Sequence, residues 1–204
     1  MAAAAVHLTA VRWSTAGLAA FAKLTASTAF VSLAALAGAA HFTFGRLILA
    51  ALVLSWIGDA LLLWERDNLF VAGVGAFMLA HVSYAAAFML TPIGLAPLAV
   101  SLALMTFVGL TLFRWLRQGL GGIFLVAVPV YIAVIMLMVS LAVSASIAGS
   151  SGMIAAGAIV FAASDVLVAR ERFVRHGFVN KLFGIPLYYI AQLLLAGSVA
   201  AAQH

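Results

Sequence analysis

The run Arg46-Leu47-Ile48-Leu49-Ala50-Ala51-Leu52-Val53-Leu54-Ser55-Trp56-Ile57-Gly58-Asp59-Ala60-Leu61-Leu62-Leu63-Trp64 decides how the rest of the chain reads. Between Arg46 and Glu65 its one ionisable side chain is Asp59. Its length matches the roughly 20 residues a helix needs to cross hydrocarbon. It lacks the alternation of apolar and polar residues that marks a strand of a membrane barrel. The composition of the 204-residue chain gives the run its setting: 67% of residues are apolar and 7% charged. Soluble domains run at roughly 45–50% and about 25%. Ten basic and five acidic side chains cannot cover a soluble globule. Disordered chains are poor in apolar residues, so disorder is excluded too. The bilayer is the solvent that tolerates such a surface.

Outward from this run, similar apolar stretches are separated by short polar or Gly/Pro breaks. Spans are expected at about 14–39, 46–64, 69–90, 96–113, 122–144, 152–169 and 183–202. The expected fold is all-α, a polytopic transmembrane bundle of seven or eight helices forming one domain over 1–204. The choice between seven and eight turns on Lys23: either it lies inside one long first helix, or it marks a turn after a span at 2–22. No Gly or Pro near Lys23 forces a turn, which favours seven. Ala37-Gly38-Ala39 after an apolar stretch superficially resembles a signal-peptide cleavage site, but a cleaved signal leading only to further spans would be unusual.

With seven spans, Arg12, Arg66, Arg114, Arg117, Arg170, Arg172, Arg175 and Lys181 fall on one side and Arg46 on the other. The positive-inside rule makes the basic side cytoplasmic, in an inner or plasma membrane. The net charge of +5 is then read as orientation, and no nucleic-acid partner is expected. Without cysteine, disulfides, thiolate metal sites and a Cys nucleophile are excluded.

An ionisable group at mid-span costs roughly 2.5–3.5 kcal/mol on insertion scales, so it usually has a partner or a task. Asp59 and Asp165 each precede the basic end of their span by five residues, about 7–8 Å of helix rise. At one depth and face to face, two carboxylates in low dielectric would form a dyad, one acting as acid and one as base. The alternative is separate pairing, for instance with Lys23, the one ammonium inside a span. His81 shares a helix face with Gly73, Phe77 and Tyr84, a candidate pocket wall, although a lone His is often a packing residue. Asn68 opens that helix and is read first as its cap. Tyr188 and Gln192 lie one turn apart in the last span. Ala72, Ala76 and Ala80 form a small-residue packing stripe. There is no HExxH motif and no Gly-Lys-Ser/Thr phosphate loop. A Ser164/His81 hydrolase lacks a GxSxG elbow.

Gly58-Asp59 with Leu61-Leu62, then Gly73, Phe77, His81 and Tyr84, resembles the first signature of the lysoplasmalogenase-like (YhhN-type) membrane family. Gly157, Phe161, Ser164-Asp165 and Leu167, followed by Tyr188-Tyr189 and Gln192, resembles its second. Lys23-Leu24-Thr25 resembles the family's Lys-Pro-Leu-Thr segment, with Leu24 in place of Pro. The resemblance implies a membrane hydrolase of about eight helices, needing no metal or other cofactor. Its substrates would be lysoplasmalogens, lysophospholipids drawn from the surrounding membrane lipid. It nominates Asp59 and Asp165 as catalytic, with Asn68, His81, Tyr84, Ser164, Tyr188 and Gln192 around them. Lys23 and Lys181 join as substrate contacts, with the phosphate expected near Lys181 or Arg170. The residues suit that reaction: vinyl ether hydrolysis needs a proton donor to carbon and an anion near the developing oxocarbenium ion. Two other readings stay open, a small proton-coupled transporter and a non-catalytic lipid-binding protein. The transporter would call for inverted repeats and broken helices, whereas Pro129 is the one proline read inside a span and no repeat is visible.

Overall fold

The computed structural model describes residues 2–64 and 66–203, with the surroundings of side chains given in the first helix from residue 20 onward. Glu65 of the charged turn and the side chain of Arg12 therefore lie outside the described residues. Seven α-helices are present among them: α1 Ala2–Leu36, α2 Thr43–Leu61, α3 Asp67–Phe88, α4 Leu95–Leu116, α5 Phe124–Ile147, α6 Gly152–Phe173 and α7 Phe178–Ala201. Helix is the natural form here, because lipid offers no partner for a free backbone N–H or C=O. Six of them, α2 to α7, are long and apolar enough to cross a membrane, and α1 adds a shorter apolar stretch, Ala20–Leu36. The chain is an integral membrane protein. Lys23 lies inside α1 with no break around it, so the alternative of a turn there is not what forms. Pro129 is not the only proline inside a helix: Pro186 sits within α7.

The breaks follow local chemistry. Gly38 has φ 79° and Gly149 has φ 107°, left-handed conformations at the ends of α1 and α5 that a side chain would strain. The Ser151 side chain accepts a hydrogen bond from the Met153 N–H and caps α6. Asn68 does not cap α3. The N-cap there is Arg66, without a side-chain bond, and Asn68 is an exposed residue of the first turn. Asp67, ahead of it, pairs with Arg172 at 2.8 Å.

Neighbour relations close six helices into a ring: α1 packs on α2, α2 on α3, α3 on α5, α5 on α6, α6 on α7, and α7 on α1. Helix α4 stands outside this ring, against α5. Only Ser101, Gly109 and Leu116 of α4 are buried. Small residues set the tightest approaches, as expected where lipid removes the hydrophobic drive between helices. A Cβ on Gly58 would come within 2.6 Å of the Phe77 ring, and one on Gly157 within 2.7 Å of Leu195. Ala76 and Ala80 of the alanine stripe are buried, while Ala72 is exposed. The core inside the ring contains Phe30, Ile48, Leu52, Tyr84, Phe161 and Leu195.

Candidate active site

Each helix of the ring sends at least one polar side chain inward, and these form two clusters. In the first, Lys23 Nζ of α1 lies 3.1 Å from Asp59 Oδ1 of α2. Ser27, one turn after Lys23, donates to Asp59 Oδ2 at 2.6 Å, and the Tyr188 hydroxyl of α7 donates to the same oxygen at 2.7 Å. The Tyr189 hydroxyl donates to the Lys23 carbonyl at 3.1 Å, tying α7 to α1. Asp59 is 3% exposed, while the Lys23 side chain keeps 30% exposure. The carboxylate is thus fully inside, and the ammonium reaches it from the rim along an apolar stem.

In the second cluster, His81 Nε2 of α3 lies 2.8 Å from Asp165 Oδ2 of α6. The Tyr131 hydroxyl of α5 donates to the same carboxylate oxygen at 3.1 Å and lies 3.2 Å from His81 Nε2. With the proton on Nε2 facing Asp165, the ring's Nδ1 is a lone-pair acceptor. It is buried and has no partner among the described residues; the same holds for Ser55 Oγ and Gln192 Nε2. The Tyr84 hydroxyl donates to Gln192 Oε1 at 2.7 Å.

Aromatic rings join the clusters. Tyr188, bonded to Asp59, has its ring 5.5 Å from Phe161 and 5.9 Å from Phe77. Phe161 in turn lies 4.5 Å from the His81 ring. The expected face-to-face dyad is therefore corrected: among the described residues the two carboxylates share no partner, and Tyr188, Phe161 and His81 stand in line between them. Matched spacing from the helix ends fails as well. Helix α2 stops at Leu61 and α6 runs on to Phe173, leaving Asp59 two residues and Asp165 eight residues from their ends. Separate pairing, the alternative weighed from the sequence, is the arrangement that forms.

A family model described as the YhhN family matches residues 4–199. The chain belongs to the YhhN family. Among curated relatives, "Lysoplasmalogenase TMEM86A" of Bos taurus is 32% identical over 162 residues, which is 76% of this chain and 66% of the relative. "Lysoplasmalogenase TMEM86B" of Mus musculus is 36% identical over 151 residues, 73% of this chain and 61% of the relative. The chain thus spans just under two thirds of the length of these relatives. No solved structure matches it.

Of the residues nominated from the sequence, Asp59, Lys23 and Tyr188 meet in one cluster and Asp165 and His81 in the other, with Tyr84 and Gln192 bonded to each other within the bundle. Three fall outside. Ser164 is buried, but its hydroxyl donates to the Phe161 carbonyl at 2.9 Å, so it is committed to its own helix. Asn68 is exposed at the start of α3. Lys181 is exposed in the first turn of α7, 3.9 Å from Glu171 in the last turn of α6. Sequence reasoning missed Tyr131 and Ser27, and had Tyr189 only as a member of the motif. A usable signal existed for the tyrosines: the chain has only four, Tyr84, Tyr131, Tyr188 and Tyr189, and all lie in spans. A phenol buried in lipid needs a partner for the same reason a carboxylate does.

Proposed function

We propose that this chain is a membrane-embedded hydrolase that cleaves the vinyl ether bond of lysoplasmalogens. The products would be a fatty aldehyde and glycerophosphoethanolamine or glycerophosphocholine. The observation that carries this reading is the pair of separately partnered carboxylates inside one ring of helices. Family membership and the relatives' names support it.

The two clusters suit different tasks. Asp59 already faces an ammonium and two hydroxyl donors, so it is fixed as a localised negative charge. Asp165 shares a hydrogen bond with an imidazole, along which a proton can be held and released. In the proposed reaction the Asp165–His81 pair starts with a second ring proton on His81 Nδ1 and delivers it to the alkenyl carbon once removed from the ether oxygen, which leaves Nδ1 bare for the next step. Positive charge then spreads over the adjacent carbon and that oxygen, and the Asp59 carboxylate offsets it. Water bonds to the cationic carbon and gives up a proton, for which the buried, unpartnered His81 Nδ1 is a suitable acceptor. The resulting hemiacetal loses its hydroxyl proton to the glycerol oxygen as the carbon–oxygen bond breaks. One water is consumed and one aldehyde released. The aromatic bridge of Phe77, Phe161 and Tyr188 supplies π-faces near the cation. We place the basic ends of α2, α4 and α6 on the cytoplasmic side of a plasma or inner membrane.

The test is mass spectrometry of lipid products after incubating purified protein with alkenyl and acyl lysolipids side by side. Aldehyde release from the alkenyl substrates is expected. Asp59→Asn and Asp165→Asn should each reduce it at least about a hundredfold, in line with loss of a charge-stabilising or acid–base group, while the proteins still fold. Normal turnover by either variant removes the two-aspartate mechanism. Substrate flux across proteoliposomes without chemical conversion would point to a carrier instead.

A further inference from the structure

The facing ends of α6 and α7 and the connection between them form an open cavity of about 250 Å³ lined by Arg170, Arg175, His176, Gly177, Val179 and Asn180. Its centre is a buried amide. Asn180 is 4% exposed, and its Oδ1 accepts from Arg170 Nη1 at 2.7 Å. Its Nδ2 is shared between Glu171 Oε2 at 2.7 Å and the Arg175 carbonyl at 2.8 Å. Arg170 is thus oriented by a neutral group, which fixes the guanidinium without cancelling its charge.

The charges around it divide clearly. Arg172 is taken by Asp67 at 2.8 Å and lies over the Phe70 ring. Glu171, the one carboxylate beside the cavity among the described residues, receives the Gly177 N–H and Asn180 Nδ2. It also has His176 at 3.6 Å and Lys181 at 3.9 Å. Among the described residues neither Arg170 nor Arg175 has an acid within ion-pair distance, so two guanidinium charges remain uncancelled beside one cavity.

Spacing connects this cavity to the candidate active site. Arg170 follows Asp165 by five residues in α6, a rise of about 7.5 Å. In a lysophospholipid five bonds separate the sn-1 ether oxygen from the phosphorus, about 6 Å when extended at bond lengths near 1.5 Å. A lipid whose vinyl ether reaches Asp165 therefore has its phosphate at the level of Arg170, and a guanidinium reads phosphate through paired N–H donors.

We propose that the Arg170–Asn180–Arg175 cavity is the phosphate-binding subsite for a lysophospholipid headgroup, with Asn180 as the positioning residue. This deepens the hydrolase reading and rests on it for the position of the ether. Of the two phosphate contacts expected from the sequence, it keeps Arg170, adds Arg175, and leaves out Lys181, which faces Glu171.

The experiment compares two substrates that share the vinyl ether: 1-alkenyl-glycerophosphoethanolamine and 1-alkenyl-glycerol, which has no phosphate. The full chain in detergent should favour the first by kcat/KM, mainly through KM. In Arg170→Gln/Arg175→Gln that preference should fall by about tenfold or more, the scale of losing charge-assisted hydrogen bonds. Lysine at both positions should restore part of it. Asn180→Ala should lower it through KM with little change in kcat, a split that loss of fold would not produce. A double variant that keeps the wild-type preference overturns the assignment.

A binding arm separates this proposal from the hydrolase reading. The saturated ether 1-alkyl-glycerophosphoethanolamine, which cannot be hydrolysed by this route, should raise the thermal unfolding midpoint of wild type and not of the double glutamine variant. If it does and no vinyl ether is ever cleaved, the subsite stands and the hydrolase reading falls. If cleavage proceeds and binding ignores both arginines, the subsite falls. Inorganic phosphate and glycerol 3-phosphate are run alongside. Protection by inorganic phosphate equal to that by the lipid overturns the headgroup assignment in favour of a free-anion site.

Discussion

Replacing Lys23 by Met tests how the Asp59 carboxylate is held inside the ring. The carboxylate is 3% exposed, and its ammonium partner stands 3.1 Å away. Removing one member of a buried pair typically costs about 3–5 kcal/mol, because the other charge stays behind unpaired. Ser27 and Tyr188 remain as donors after the change, and Lys23 is itself 30% exposed, so the lower end applies: about 3 kcal/mol for Lys23→Met. Asp59→Asn is the opposite case. The freed ammonium can swing to the rim on its stem, and the cost is that of an ordinary hydrogen bond, about 1 kcal/mol. In Lys23→Met/Asp59→Asn no charge is left inside, so the double variant should lie near the milder single one. The expected interaction energy is about 3 kcal/mol, far above the few tenths of independent sites. The assay is equilibrium unfolding in mixed micelles, with denaturing detergent as the variable and helix signal as readout. Additive single costs, or a double variant as unstable as Lys23→Met, would refute the claim that Lys23 balances the Asp59 charge.

Two further outcomes are expected from the same site. Tyr131→Phe removes the hydroxyl donating to Asp165 at 3.1 Å and leaves the ring in place, so turnover should drop by about tenfold or more, the scale of one hydrogen bond to a charged group. Circular dichroism should stay that of wild type, and the pH profile of kcat should move; an unaltered profile and rate would remove Tyr131 from the site. Ser164→Ala should keep turnover within about threefold of wild type, because its hydroxyl is spent on the Phe161 carbonyl, a bond of modest net value; abolished turnover with retained fold would instead restore a serine nucleophile.

The bundle was legible in the sequence because the bilayer imposes one period and one length on every span. The breaks between 39 and 46 and between 144 and 152 and the charged connections needed only local rules, although α1 already ends at Leu36 and α5 runs on to Ile147. Lys23 was ambiguous because its environment is long-range: α1 passes through it unbroken and Asp59, far along the chain, receives its charge. The two aspartates were legible as costly residues, yet their relation was not. Distance from a span's end fixes depth only when the helix ends where the apolar run ends. Helix α6 continues past Arg170 to Phe173, while α2 stops before Trp64. Nor does a sequence show which aromatic ring stands between two acids. Phe161 and Tyr188 were visible as members of a motif, and their place between the clusters follows from the approach of α6, α7 and α3.

The ring explains why so few polar residues suffice and why they are spread so evenly. Lys23 and Ser27 come from α1, Asp59 from α2, His81 from α3, Tyr131 from α5, Asp165 from α6, and Tyr188 from α7. Helix α4 contributes none and is the one helix outside the ring. In lipid, helices gain little from hiding apolar surface from one another, so specific association rests on close packing and on hydrogen bonds between helices. The bonds that assemble the candidate site are therefore among those that fix the ring's order. Each ionisable group is tolerable only when a neighbouring helix supplies its partner, and each partner is in place only when the ring closes. A substitution at Asp59 or His81 acts on chemistry and assembly together, whereas one at Arg170 or Arg175, on the basic rim, leaves the inner bonds intact. Measuring stability and turnover on the same preparations separates these cases: inner variants should move both, and rim variants should move substrate preference alone.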